Sequence, residues 1–206
     1  CNETFQLHTF QRKTKTNKIY NKPKKIANPL LSDKVIKWFE SRGISESTLV
    51  KMKITEGKEF MPQTSKEENT IQFNYFINNE LINIKYRDGK KNFKLVKGAE
   101  KIFYNIDSTI GHNSVVIVEG EMDALSFIEV GVSSVVSVPN GATIGNNNLD
   151  YLDSCIDYFE DKEKIILAVD QDEAGQNLKQ ELIRRLGAEA CYTCSFGVHK
   201  DANEFL

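Results

Sequence analysis

After Ser114 the sequence settles into a rhythm that few folds accommodate. Short apolar runs appear at SVVIV (114–118), SSVVSV (133–138), KIILAVD (164–170) and ACYTCS (190–195). Between them lie helical patterns, EMDALSFIEVG, LDYLDSCIDYFED and EAGQNLKQELIRRLG. Nearly continuous Val/Ile runs of this length are strands covered on both faces, and the intervening helices supply the cover. The fold class expected is therefore α/β, with a four-stranded parallel sheet flanked by helices over residues 111–206. In open sheets of this kind functional residues collect at the carboxyl ends of the strands.

Upstream the period changes. From Lys58 to Asn105 the segments ENTIQFNYFI, NNELINIKYRD and KNFKLVKG alternate apolar with polar residues, and Asn78-Asn79 and Asp88-Gly89 sit where hairpin turns belong. This predicts a small antiparallel unit with one solvated face. Before it, Ser32 is placed to cap a helix DKVIKWFESRG that presents Val35, Ile36 and Phe39 on one face and ends at Gly43. Ser45 is placed to cap a second helix reaching about Lys53, and Trp38 is expected in the core. Residues 32–110 thus read as an α+β subdomain made of helices and an antiparallel sheet. Residues 1–31, with Pro23 and Pro29 and no period, read as an arm or linker. A chain that opens at Cys1 and runs straight into polar, basic residues looks like a piece cut beside a cysteine-bearing module.

Charge totals discriminate little, because the net charge is −2 over 206 residues. Its distribution says more. Arg12 to Lys25 contains no acid, Lys85 to Lys101 is mostly basic, and Asp150 to Glu163 is acidic, which gives the folded molecule a positive and a negative side. A solvated block is the simplest account of the first of these. No signal peptide opens the chain and no apolar run reaches bilayer length, so a soluble, cytoplasmic protein of a bacterial or phage-infected cell, with no membrane partner, is expected. Four cysteines (Cys1, Cys155, Cys191, Cys194) do not make a disulfide scaffold in a chain this long. The CYTC pair falls on a strand expected to be buried, where residues three apart face opposite ways, so both are expected to be core cysteines.

The chemistry is expected at the strand ends. The run ending at Val118 delivers Glu119 onto a turn made by Gly120, and Asp123 follows in the first helical turn. KIILAVDQDEAG places Asp170 at another strand end and Asp172 two residues on, roughly 6.6 Å along an extended chain and on the same side. If the two strands are neighbours, four carboxylates converge, and such a cluster raises its pKa values, pairs with bases or binds a cation. Hard oxygen donors without cysteine or histidine point to Mg²⁺ or Mn²⁺. Glu121 and Glu173 are accounted for as ordinary first-turn acids that favour the helix dipole. Lys85 and Arg87 share a strand face and Lys94 follows nearby in sequence, so the three are candidates for contact with a nucleotide or nucleic acid.

VVIVEGEMDAL followed by ILAVDQDEAG resembles the Toprim domain of primases, topoisomerases and some nucleases. SVVSVPNGA and HKDANEFL, with LSDKVIKWFESRGIS and INIKYRDGKKNFKLVKG upstream, resemble the primase core of the phage and mitochondrial primase–helicase family over about residues 32–206. The resemblance implies RNA-primer synthesis from ribonucleoside triphosphates on a single-stranded DNA template, with divalent ions lowering the charge of the triphosphate. It implies Asp170 and Asp172 as metal ligands, Asp123 as a third carboxylate, and Glu119 as a ligand or general base. Lys85 and Arg87 would hold the triphosphate or template phosphates. Lys200, Asp201 and Glu204 would close the site, with Asp201 a further metal candidate. No GxxxxGK[ST] loop occurs, so a helicase domain would lie beyond Leu206 in a longer chain. A Toprim nuclease and a non-catalytic nucleic-acid-binding module of a replicative helicase are the alternatives.

Overall fold

A computed structural model describes residues 18–23, 31–140 and 149–206. Most of the predicted arm and basic block, with Cys1, lies outside the described residues. The part that is described is docked: Asn21 donates from its backbone to Gly98 O at 2.9 Å and from its side chain to Lys97 O at 3.0 Å.

Two helices open the main body, α1 (Asp33–Glu40) and α2 (Glu46–Lys51). Gly43, at φ +76°, makes the turn between them. Four antiparallel strands follow in the order β1 (Thr55–Met61), β2 (Lys66–Ile77), β3 (Glu80–Asp88), β4 (Phe93–Leu95). The first of these was not resolved by the alternation, since Glu56, Lys58 and Glu59 blur it. The sheet also departs from the expected solvated face, because the middles of β2 and β3 are buried on both sides. Ile71, Phe73 and Tyr75 face the main core. On the reverse face Met61, Ile84 and Tyr86 form a small cluster of their own. Beside it Thr55 Oγ1 donates to Gln72 Oε1 at 3.0 Å, and Asn74 Nδ2 donates to Lys53 O at 2.7 Å. Alternation tells which residues share a face; it does not tell what covers that face.

The second sheet is parallel, in the order β6-β5-β7-β8, and comprises β5 (Ser114–Val118), β6 (Val135–Ser137), β7 (Lys164–Ala168) and β8 (Cys191–Thr193). Helices α3 (Glu121–Glu129), α4 (Asp150–Cys155), α5 (Glu173–Leu186) and α6 (Ala202–Phe205) complete the mixed α/β architecture. α4 is shorter than its pattern suggested and passes into a 3₁₀ turn at Ile156–Tyr158. β8 corrects the cysteine assignment. It is a three-residue edge strand on which Cys191 is half-buried and Cys194 is exposed, so only Cys155 is a core cysteine among those described.

One apolar core runs through both sheets, joining Phe39, Leu49, Phe73 and Tyr75 to Ile117, Val118, Leu125 and Leu167. The wedge between them is Ile102–Tyr104. Tyr104 stacks edge-on against Tyr75 at 5.2 Å, Phe103 packs on Tyr151 at 5.0 Å, and Tyr104 N donates to Ser137 O at 2.9 Å. Among the described residues no helix is long and apolar enough to cross a membrane.

A polar clamp reinforces the join. Ser45 is the N-cap of α2, yet its side chain makes no capping bond; Glu129 at the end of α3 accepts instead from Ser45 N and Ser45 Oγ, both at 3.0 Å. Burial would raise the Glu129 pKa, but hydrogen bonds from Thr48 and Ser45 outweigh it and hold the carboxyl below its ordinary value. A depressed carboxylate stabilises the fold above its unfolded pKa, and that contribution is lost as pH falls through the folded one. Glu129→Gln is therefore expected to cost about 1 kcal/mol at neutral pH and almost nothing in acid. Urea denaturation of both proteins across pH checks this; an equal difference at every pH would refute it.

Candidate acidic site at the strand ends

β5 and β7 are adjacent, with Val118 paired to Ala168. The chain therefore leaves the sheet at two neighbouring points, one continuing as Glu119-Gly120 into α3 and the other as Val169-Asp170 towards α5. Two glycines let these loops close. A Cβ on Gly175 would lie 2.1 Å from Asp170 O, and one on Gly120 would lie 2.9 Å from Asp123 Oδ2. Neither position takes a side chain without moving an acid.

Four aspartates meet at this edge. Asp172 caps α5, accepting from Gly175 N at 3.0 Å. Asp201 caps α6, accepting from Glu204 N at 2.9 Å, while Glu204 Oε2 accepts from Lys200 N at 2.9 Å. Asp123 is buried in the first turn of α3 and accepts from Asn203 N at 3.2 Å. Burial, followed by the charges of Asp201 and Asp170, pushes its carboxyl up to about 7. Asp170 is also raised, by burial first and against the pull of Lys200. Lys200 Nζ stands 3.5 Å from Asp170 Oδ2 and 3.7 Å from Asp172 Oδ2, and these anions, Asp170 foremost, raise its own pKa. Glu119 sits at the same strand end with its Oε2 sealed from solvent, and its charge acts on the Tyr151 hydroxyl.

This donor set suits a hard divalent cation. It is all carboxylate, its members repel one another, and a lysine ammonium already spans two of them in the place such a charge is needed. As the side chains stand, with Lys200 between Asp170 and Asp172, no group of three or more His, Cys, Asp or Glu among the described residues is arranged to hold a metal ion.

Glu121 departs from the first-turn reading. It is 3% exposed, and its Oε1 accepts from Lys85 Nζ at 2.8 Å and from the Tyr75 hydroxyl. Burial, then the Glu121 charge, raises the Tyr75 pKa well above that of an ordinary tyrosine. Lys85 is accordingly spent on a buried ion pair that joins β3 to the first turn of α3. Lys94 points to the opposite face of the sheet: it pairs with Glu59 at 2.7 Å and lies over the Tyr86 ring. Arg87 does stay on the Lys85 face. Its guanidinium lies 4.5 Å from the Trp38 ring centroid and 5.9 Å from that of Phe93. There it borders a groove of about 770 Å³ shared with Lys34 and Lys58, and a smaller cavity of about 190 Å³ shared with Arg42, Lys91 and Gly120. Trp38 is thus a half-buried stacking platform at the edge of the core. The sequence carried no signal for Tyr75 or Asn203, whose partners are distant in the chain.

Residues 116–206 match the Toprim-like family. The parallel sheet beside an antiparallel one is the fold of primase-type Toprim cores. A primase homolog protein of Arabidopsis thaliana is 34% identical over 193 residues, covering 85% of this chain and 56% of that protein. The chloroplastic/mitochondrial Twinkle homolog protein of the same plant is 33% identical over 193 residues, covering 85% of this chain and 26% of its own length. The crystal structure of the primase fragment of the bacteriophage T7 primase-helicase protein superimposes with a TM-score of 0.67 at 29% identity, over 80% of this chain and 66% of that one. Residues 116–206 thus carry a Toprim-like domain, and over most of its length the chain is similar to primase cores of the phage and mitochondrial primase–helicase type. It spans about half the length of the first plant relative and about a quarter of the second.

Proposed function

We propose that the chain is the catalytic core of a DNA primase, joining ribonucleoside triphosphates into short RNA primers on single-stranded DNA. The observation that carries this reading is the convergence of Asp123, Asp170 and Asp172, which follow two adjacent parallel strands, with Asp201 from the cap of α6, Lys200 bridging Asp170 and Asp172. Asp170 and Asp172 would hold Mg²⁺ or Mn²⁺, with Asp123, Glu119 and Asp201 completing the oxygen set. A divalent ion bound there would offset the charge of the triphosphate. The residues' own contributions follow from their places. Asp172 and Asp201 are fixed as helix caps, and Lys200 neutralises Asp170 until a cation takes its place. Arg87 is the cation best placed for substrate phosphate or template, since it lines both cavities beside Trp38 and Phe93. Lys85 would act at second hand, through the buried Glu121 pair. We also propose the division read from the sequence, with residues 32–110 as an N-terminal primase subdomain of helices and antiparallel sheet and 111–206 as the Toprim domain. A helicase domain is the proposed neighbour in the longer protein.

Incubation with single-stranded DNA, labelled ribonucleotides and Mg²⁺ tests the reading. Short oligoribonucleotides are expected. Shortened DNA would replace the reading with a nuclease, and intact DNA with no oligoribonucleotide would leave a binding module.

A further inference from the structure

Asn203 is the polar side chain whose bonding the proposed chemistry does not use. It is 9% exposed and reaches three segments at once. Its Nδ2 donates to Arg42 O and to Ser126 Oγ, both at 3.0 Å, and its Oδ1 accepts from Arg42 Nε at 2.7 Å. Its backbone N–H donates to Asp123 Oδ1 at 3.2 Å. Both amide donors, the amide oxygen and the main-chain donor are therefore all engaged, in a pocket where an unmade bond is costly.

The pattern has direction. Asp123 and Ser126 are three apart on α3 and so lie on one face of that helix. Asn203 straddles them, with its main chain on the first and its side chain on the second. This fixes α6 in register along α3. Ser126 Oγ, in donating to Met122 O at 3.0 Å, is left as the acceptor Asn203 requires. Arg42 closes the arrangement from the loop after α1, and Leu206 settles over Gly43, where an added Cβ would lie 3.0 Å from Leu206 Cδ2. The acid that α6 carries in this seat is its cap, Asp201, the carboxylate that acts most strongly on Asp123. A free α6 with charge at Asp201 would swing away from Asp123, because like charges repel.

We propose that Asn203 is a positioning residue which, through its bonds to Asp123, Ser126 and Arg42, keeps the carboxylates of Asp123 and Asp201 together at one edge for a divalent cation. The inference rests on the metal reading given above. Asn203 touches neither substrate nor cation, and no shorter or longer residue reproduces it. Ser lacks the second donor, and Gln carries its amide one methylene too far for Ser126 and Arg42 together.

Mn²⁺ titration, followed by the paramagnetic resonance of the free ion, tests this in the wild type, Asn203→Ala, Asp123→Asn and the double variant, with Asp170→Asn as reference. Asn203→Ala is expected to weaken Mn²⁺ binding about tenfold, the lower end for loss of a residue that orients a ligand. The same substitution in the Asp123→Asn background is expected to add little, since the charged carboxylate that Asn203 positions is then already gone. Melting temperature should fall by only a few degrees. Unchanged affinity, or equal losses in both backgrounds, overturns the proposal and leaves Asn203 a purely structural residue. Should Asn203→Ala fail to fold, Ser126→Ala removes one of the two amide acceptors and is expected to give a smaller loss that again depends on Asp123. If Asp170→Asn binds Mn²⁺ as the wild type does, the metal reading fails and this inference falls with it. Loss in Asp170→Asn without loss in Asn203→Ala overturns the inference alone.

Discussion

Asp170→Asn is expected to lower primer synthesis by about 10²–10³-fold and to abolish measurable binding of Mg²⁺, while the protein still folds. The substitution is nearly isosteric and keeps the main chain at 170, so the 2.1 Å approach that forbids a Cβ on Gly175 is unaltered. The side chain is 17% exposed, and its closest cation is Lys200. Losing its charge removes one of the two carboxylates that repel Asp123, so the Asp123 pKa falls from its raised position near 7. It also frees Lys200 to lean on Asp172 alone. The first change relieves the folded protein, and the second costs little because the Lys200 side chain is 54% exposed, so stability should hold even as function is lost. That opposition separates this site from a structural cluster, in which loss of a member costs both. Asp172→Asn should behave similarly in metal binding, and its capping bond to Gly175 survives because an amide oxygen also caps well. Calorimetric titration with Mg²⁺, a thermal melt and the primer assay on the same preparations give the three readouts. Unchanged Mg²⁺ affinity would sink the assignment.

The parallel sheet and its acids were legible because each rests on short-range patterns. β-branched runs too apolar for a half-exposed strand need cover on both faces, and acids directly after such runs need a reason. The remaining step, that β5 neighbours β7, depends on pairing that no periodicity reports, and it is this pairing that brings Asp123 and Asp170 to one edge. Glu121 was misread for a related reason. A first-turn acid is explained by its own helix dipole, and nothing near it in the sequence reveals that Lys85, 36 residues earlier, lies 2.8 Å away. The three basic strand residues separate similarly once the sheet is built. Register puts Lys85 and Arg87 on one face and Lys94, opposite Tyr86, on the other. The cysteine pair failed on strand length: three residues at an edge bury little, and Cys194 lies past the strand's end. Asn203 was out of reach altogether, because an asparagine with partners 161, 80 and 77 residues away leaves no local trace.

Lys85→Met is expected to destabilise the fold by about 3–5 kcal/mol, the range for removing one partner of a buried ion pair. Glu121 has 4% of its side chain exposed, and without the ammonium its charge keeps only the Tyr75 hydroxyl as a hydrogen-bonded partner among the contacts described. Lys85 is 10% exposed, so little of the loss is screened by water. Adding Glu121→Leu to Lys85→Met removes the stranded charge and should restore most of the stability, since replacing both partners of such a pair with apolar residues is often neutral. The cycle closes on a coupling energy, read from urea denaturation of the wild type, both single variants and the double. A lysine that instead held phosphate at the surface would behave differently. Its loss would leave stability unchanged and would reduce the salt dependence of DNA binding by roughly one counterion. Arg87→Ala is the comparison for the salt slope alone, because its guanidinium borders both cavities while its side chain, 9% exposed and packed on Trp38, also contributes to stability. A stable Lys85→Met with a reduced salt slope would return Lys85 to direct nucleic-acid contact. A destabilised one, rescued by Glu121→Leu, establishes it as the ion pair that fastens the antiparallel sheet to the first turn of α3, one residue from Gly120 and two from Asp123.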